Sequence, residues 1–304
     1  VGLFSRLYNS DVHDLTLTYA DIQGKGSTGG IAAVAEDDFH FYNLNVEGDI
    51  LGDLIGTRGG IIGDAGDAGN NARLDNVSFS GNVTGFDVGG IAGDGGKLVI
   101  NNIKVEASFI EGGVNSDIGG IFGEADPNAE ISNASVQVGD IREREGVGGA
   151  EGKIHGIVGG DDIDVSDTFV VANTSNGNLR DSFTATDSYY SESAQEYAGL
   201  TGLSGANMTG IAAVDAMDFD WGDTWRVTDS FPELVVFSDG SEPAAVIIDA
   251  EELSDPAAAD AGTTVSVSVP INNVGGTAGS DEITLTKSDG TQLDAQTVTV
   301  AVNT

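Results

Sequence analysis

Four carboxylates crowd the segment "GGDDIDVSD", where Asp161, Asp162, Asp164 and Asp167 fall close together. Hard oxygen ligands at that density suit Ca²⁺ or Mg²⁺, although a solvated acidic turn uses the same residues. The segment matches neither an Asp-X-Asp-X-Asp-Gly loop with a distal Glu nor a calcium-binding nonapeptide repeat. Acid–base chemistry on a polysaccharide would need clustered carboxylates, or a base with Arg or Lys, on one face. Arg58 with Asp53 and Asp64, or His155 with Asp161 and Asp162, are the sets on offer, and His155 reads equally well as a surface or corner residue. His13 and His40 have no partner at the i, i+4 spacing of a helical metal site. Trp221 and Trp225 suit either a platform for sugar rings or a packed end of the core; the Asp, Gly and Phe alternating with them favour the core. Cysteine is absent, which excludes disulfides, thiolate metal sites and Cys nucleophiles.

The elements that must position these residues follow from a repeat. Gly-Gly-Ile triplets start at Gly29, Gly59, Gly89 and Gly119, with weaker copies at Gly2-Leu3 and Gly156-Ile157. The four triplets keep one fixed interval of about 30 residues, within the range of stacked-repeat architectures. Between them lie "YNLNVEGDI", "LDNVSFSGNV", "NNIKVEASFI" and "SNASVQVGDI", an Asn or Asp followed by alternating apolar and polar residues. Such alternation predicts short half-buried strands bounded by turns. One such unit cannot bury its apolar face alone, whereas stacked copies build a continuous core. The expected fold is all-β, a β-solenoid advancing about 4.8 Å per coil. Its glycines are expected to supply positive φ at the corners and to let backbones approach closely, with the following Ile pointing inward. No Lys-Ser/Thr pair follows them, so they do not read as a phosphate cradle.

The solenoid is expected over 1–199. An aromatic cap follows over 200–240, with a short helix at 212–217 capped by Ser204 or Thr209. After the "SDGSEPAA" linker, 241–304 holds four strands at hairpin spacing, with "SDGT" as a turn. These suit the start of an immunoglobulin-like β-sandwich, incomplete because the stretch after Pro243 is well short of the roughly 100 residues that such a fold takes. A neighbour can supply missing strands by strand addition. The chain begins at Val1 within a repeat copy, read as a processed or truncated start.

A formal charge of −37, from 49 acidic and 12 basic residues, leaves no basic stripe for nucleic acid and disfavours anionic membranes. No apolar run is long enough to span a bilayer. Such charge is self-repelling in dilute buffer, and the repulsion fades as salt shortens the screening length to about 3 Å near 1 M. Lys supplies fewer than half of the basic residues, and the acidic, Lys-poor balance resembles that of haloarchaeal proteins. Asn76, Asn82, Asn133, Asn173 and Asn207 each open an Asn-X-Ser/Thr sequon, compatible with an exported, glycosylated protein.

The extended triplets "GGIIG", "GGIAG", "GGIFG" and "HGIVG" resemble the GLUG motif of repetitive surface proteins, over roughly 1–237. The stretch "VPINNVGGTAGSDEITLTKSDGT" resembles the first half of the adhesion-related immunoglobulin-like domain abbreviated CARDB. Together these resemblances imply an exported cell-surface or appendage protein, and neither carries catalytic residues to transfer. We read the chain as a non-enzymatic extracellular structural or adhesion protein of a halophile, without a required cofactor, which self-associates through solenoid ends or strand addition into a filament, fibre or surface layer. The alternatives are a monomeric carbohydrate-binding adhesin or viral receptor-binding fibre that takes surface glycans, and a polysaccharide-active β-helix enzyme.

Overall fold

The computed structural model describes residues 1–52, 55–144, 153–160, 163–175, 178–179, 184–192, 196–197, 199–238, 246–248, 271–274, 278–286 and 292–301. The chain is nearly all β, and its first part is a solenoid of about five turns. Contacts divide the chain into two units, Val1–Gly205 and Ala206–Thr304.

Three parallel stacks make the solenoid. A long sheet collects Asp11–Gly24, His40–Gly52, Arg73–Ser80, Val99–Gly112, Glu130–Glu143 and Asp164–Ser175 in that order. A second stack holds the first residue of each corner and the residue before it, the latter in the register Thr28, Arg58, Val88, Ile118, Ile154. The third holds the short strands after it, with Ala32, Ile62, Ala92 and Phe122 aligned. At the corner itself Ile31 N–H donates to the Ile61 carbonyl at 2.9 Å, Ile61 to Ile91 at 3.0 Å, Ile91 to Ile121 at 2.9 Å and Ile121 to Ile157 at 2.8 Å. All of these isoleucines are fully buried, each contributing roughly 1.5–3 kcal/mol by leaving water. The upstream copy joins the column, since Phe4 bridges to Ala32 and so sets Leu3 beside Ile31.

The glycines do only one of the two jobs expected of them. None of the Gly-Gly pairs at 29–30, 59–60, 89–90 or 119–120 has positive φ. Each is needed for proximity: a Cβ on Gly89 would run into the carbonyls of Ala92 and Ile121, and one on Gly60 into the Gly90 carbonyl and the Phe79 ring.

Positive φ falls instead on a column of Asn and Asp that bends the long strands. Asp14, Asn43, Asn76, Asn102, Asn133, Asp167 and Asp187 have φ between 45° and 57°, and the strand registers align them one above another. Asn and Asp tolerate this left-handed conformation better than other side chains that carry a Cβ. Their carboxamides also bond between coils: Asn43 Nδ2 donates to Asp14 at 2.8 Å, Asn76 to Asn43 at 3.0 Å and Asn102 to Asn76 at 2.9 Å. The next rung shifts sideways, with Asn133 Nδ2 donating to Asn101 Oδ1 at 2.9 Å, and Asn102 Oδ1 is left buried without a partner.

In the second unit Trp225 is fully buried and stacks on Phe219, with ring centroids 4.5 Å apart. The short helix occupies Ala212–Ala216, but the residue before it is Ile211, which makes no side-chain cap bond; Ser204 and Thr209 do not cap it. The four C-terminal strands are present as antiparallel pairs, Val246–Ile248 with Ile271–Asn273 and Gly279–Thr286 with Gln292–Val300. The "SDGT" turn lies outside the described residues.

Gly89→Ala, which forces a methyl against two backbone carbonyls, is expected to cost on the order of 3 kcal/mol or more. Gly26→Ala, whose Cβ would meet nothing within 4 Å, is expected to leave the transition within about 0.5 kcal/mol. Denaturant titrations followed by far-ultraviolet circular dichroism check the pair, and equal effects would refute the packing role.

Candidate functional site

Alternation along the long strands sends two columns of side chains outward from the half of the sheet that precedes the Asn bend. One runs Asp11, His40, Arg73, Val99, Glu130, Asp164; the other runs His13, Tyr42, Asp75, Asn101, Ser132, Ser166. The first coils carry an aromatic cluster. His13 stacks on Tyr42 at 4.7 Å with the rings 7° apart, and His40 lies 4.5 Å from the same ring. His40 Nε2 is 2.7 Å from Asp75 Oδ2, its Nδ1 is 3.4 Å from an Arg73 guanidinium nitrogen, and Arg73 Nε reaches Asp75 at 3.6 Å. Because Arg can only donate, His40 Nδ1 accepts and its Nε2–H donates to the carboxylate. Hydrogen bonds from Asn43 and then His13 hold the Asp14 carboxyl below its ordinary range. The close stacking of His13 on Tyr42 turns those two ring faces toward each other rather than to solvent, so the cluster is a ladder more than a platform.

The same face ends in an open groove of about 330 Å³ lined by Glu130, Ser132, Asp164, Ser166, Thr184 and Thr186 among others. Its carboxylates and hydroxyls are acceptors and donors suited to polyhydroxylated ligands.

The residues singled out in the sequence are dispersed. Asp161, Asp162 and Asp53 lie outside the described residues. Asp164 and Asp167 are not in a loop: both belong to the strand Asp164–Ser175, Asp164 facing outward beside Glu130 and Asp167 standing in the Asn column. Among the described residues no three His, Asp or Glu gather as metal ligands. His155 is 1% exposed, accepts the Ile157 N–H at Nδ1 (3.1 Å) and packs edge-on against Tyr197; it is a corner residue, replacing the glycine of the other coils. The buried Trp225 offers no sugar platform.

Arg58 is also fully buried, in the column otherwise held by Thr28, Val88 and Ile118. Its Nη1 donates to the Thr84 carbonyl at 2.8 Å and its Nη2 to the Gly24 carbonyl at 2.6 Å, so one guanidinium ties three successive coils. Room for it comes from glycines opposite, where a Cβ on Gly52 or Gly85 would stand 2.9 Å from its side chain. Asp64 instead accepts the Gly66 N–H at 3.0 Å and faces the Ser27 hydroxyl. A guanidinium so enclosed has no access to a polymer substrate.

Missed in the sequence is a pair of carboxylates on the corner edge. Burial, and after it the charges of Asp117 and Asp94, push Asp87 above the ordinary carboxylate range despite a hydrogen bond from Asp117 N–H. Burial, and after it Asp64, Asp67 and Asp126, does the same to Asp94 despite a bond from Gly96 N–H. The signal was present in the repeat, since Asp64 and Asp94 follow their triplets at the same offset.

No protein-family model matches the chain, and no curated protein matches it.

Arg58→Ala leaves a cavity and removes the guanidinium donors of the half-buried Gly24 and Thr84 carbonyls, and is expected to lose about 3 kcal/mol or more of unfolding free energy in denaturant titration; an unchanged midpoint would contradict the staple. For Asp87 and Asp94 the folded state holds protons that the unfolded chain has released, so stability falls as pH rises from the ordinary carboxylate pKa through their raised values. Asp94→Asn, which keeps an acceptor for Gly96 N–H, is expected to raise the melting midpoint at pH 7 and flatten its pH dependence. A lowered midpoint would reverse the sign.

Proposed function

We propose that the chain is a non-enzymatic structural protein, exported by a salt-loving cell or its virus and built into a surface filament, fibre or layer. One observation carries this reading: the residue types that recur along the sequence are the ones consumed in binding coil to coil. Gly-Gly-Ile closes the corner and Asn bends the strand, whereas the outward columns change identity from coil to coil. A repeat preserved for stacking suits a load-bearing or spacing role. The likeness to GLUG-type and CARDB-type surface proteins, and the charge of −37 with few lysines, support export and a saline setting. Self-association through solenoid ends or strand addition is the assembly mode we favour.

Binding of surface glycans is a second reading, favoured by the hydroxyl and carboxylate groove around Glu130 and Asp164. Enzyme activity has less support, because Arg58 and His155, the residues around which the two candidate sets in the sequence were built, are buried in structural roles.

The melting midpoint is expected to rise steadily with KCl or NaCl into the molar range, and electron microscopy in molar NaCl is expected to show ordered filaments or sheets. Full stability at very low ionic strength would remove the saline setting. Dispersed particles that bind acidic or neutral glycans would replace the structural reading with the adhesin.

A further inference from the structure

The five sequons stand on different footing once the fold is known. Asn76 and Asn133 are rungs of the Asn column, with Nδ2 donating at 3.0 Å to Asn43 and 2.9 Å to Asn101. The residues after them fit strand alternation: Val77 and Ala134 point into the core, and Ser78 Oγ bonds Asn45 at 2.8 Å. Asn82 is locked at both ends, its Nδ2 3.1 Å from Asp49 and its Oδ1 accepting Ser108 and Phe109 N–H. Asn173 donates to the Gly139 carbonyl at 3.1 Å. A bend-forming Asn, an inward apolar residue and an outward small hydroxyl form a sequon as a by-product of folding. Four of the five sequons are thus tied into coil stacking.

Asn207-Met208-Thr209 is different. Asn207 is exposed in the short 3₁₀ turn Gly205–Asn207, and its carboxamide makes no hydrogen bond to any described residue, while Met208 anchors the segment fully buried. We propose that Asn207 is the N-glycan acceptor of this chain. The proposal rests on the exported reading above. The donor it requires is a lipid-linked sugar phosphate or pyrophosphate. Asn207 Nδ2 forms the bond to sugar C1 as the C1–O bond to phosphate breaks. The lipid phosphate leaves with the electron pair, and the amide proton passes to a base of the transferase. The same reaction at Asn76, Asn82 or Asn133 would set a sugar between coils whose side chains already touch, so a stacked solenoid excludes it.

The test is peptide mass spectrometry of the full chain, exported by cells whose other exported sequon proteins carry glycans, beside Asn207→Gln and Thr209→Ala. The expected result is a glycan mass on the peptide spanning Asn207, lost completely in both variants, with the peptides of Asn76, Asn82 and Asn133 unmodified. Thr209→Ala keeps the asparagine and guards against a folding defect in the first variant. An exported, folded chain with bare Asn207 would overturn the site and leave the exported reading standing. Glycan on Asn76 of a folded chain would overturn the selection by stacking. A native chain found only inside cells would overturn the exported reading and this acceptor with it.

Discussion

At each Gly-Gly-Ile corner one backbone lies so close to the next that no side chain fits between them. A Cβ on either glycine would enter a carbonyl of the following coil, so coil separation at the corner is fixed by contact between main chains. Everything else is indexed to that contact. It brings the Ile column into register, presents the Asn column at hydrogen-bonding distance, and opens the glycine-lined slot in which Arg58 bonds the carbonyls of Gly24 and Thr84. Interiors transmit such constraints because they are close-packed.

The consequence for surface chemistry is a division of labour. The glycine pairs at 29–30, 59–60, 89–90 and 119–120 leave no room for a side chain, whereas the outward columns pass from His13, Tyr42 and His40 through Arg73 and Asp75 to Glu130 and Asp164 without disturbing the stack. Like charges also accumulate on the corner edge, where in-register stacking sets Asp64, Asp94 and Glu124 in one column. A chain of net charge −37 carries part of that charge in forced alignment, and screening by salt weakens repulsion between charges so aligned.

Much of this was legible before any coordinates. The fixed interval between triplets exposes the corner, and period-two alternation exposes the strands. The role of the glycines was half legible, because sequence does not distinguish a need for positive φ from a need for space. The Asn column was partly legible: Asn43, Asn76, Asn102 and Asn133 head the alternating segments of the sequence, but their uneven spacing, from loop lengths that differ between coils, hid that they bend the strands and bond from coil to coil. Arg58 was read as a candidate for chemistry because it is a rare cation beside acids, yet its column position between Thr28 and Val88 makes it interior. The pairing of His13 with Tyr42 and of His40 with Asp75 crosses coils, and no local spacing announces it.

Amide hydrogen exchange tests the central claim, that the glycine corners are the tightest joints of the solenoid rather than flexible turns. The N–H groups of Gly60, Ile61, Gly90 and Ile91, each bonded to the next coil, are expected among the slowest to exchange, opening together with the buried long strands. Exchange of these four at the rate of the exposed loop residues Asp67 and Asn70 would mean that the corners are hinges, and the coil stacking described here would have to be held by something else.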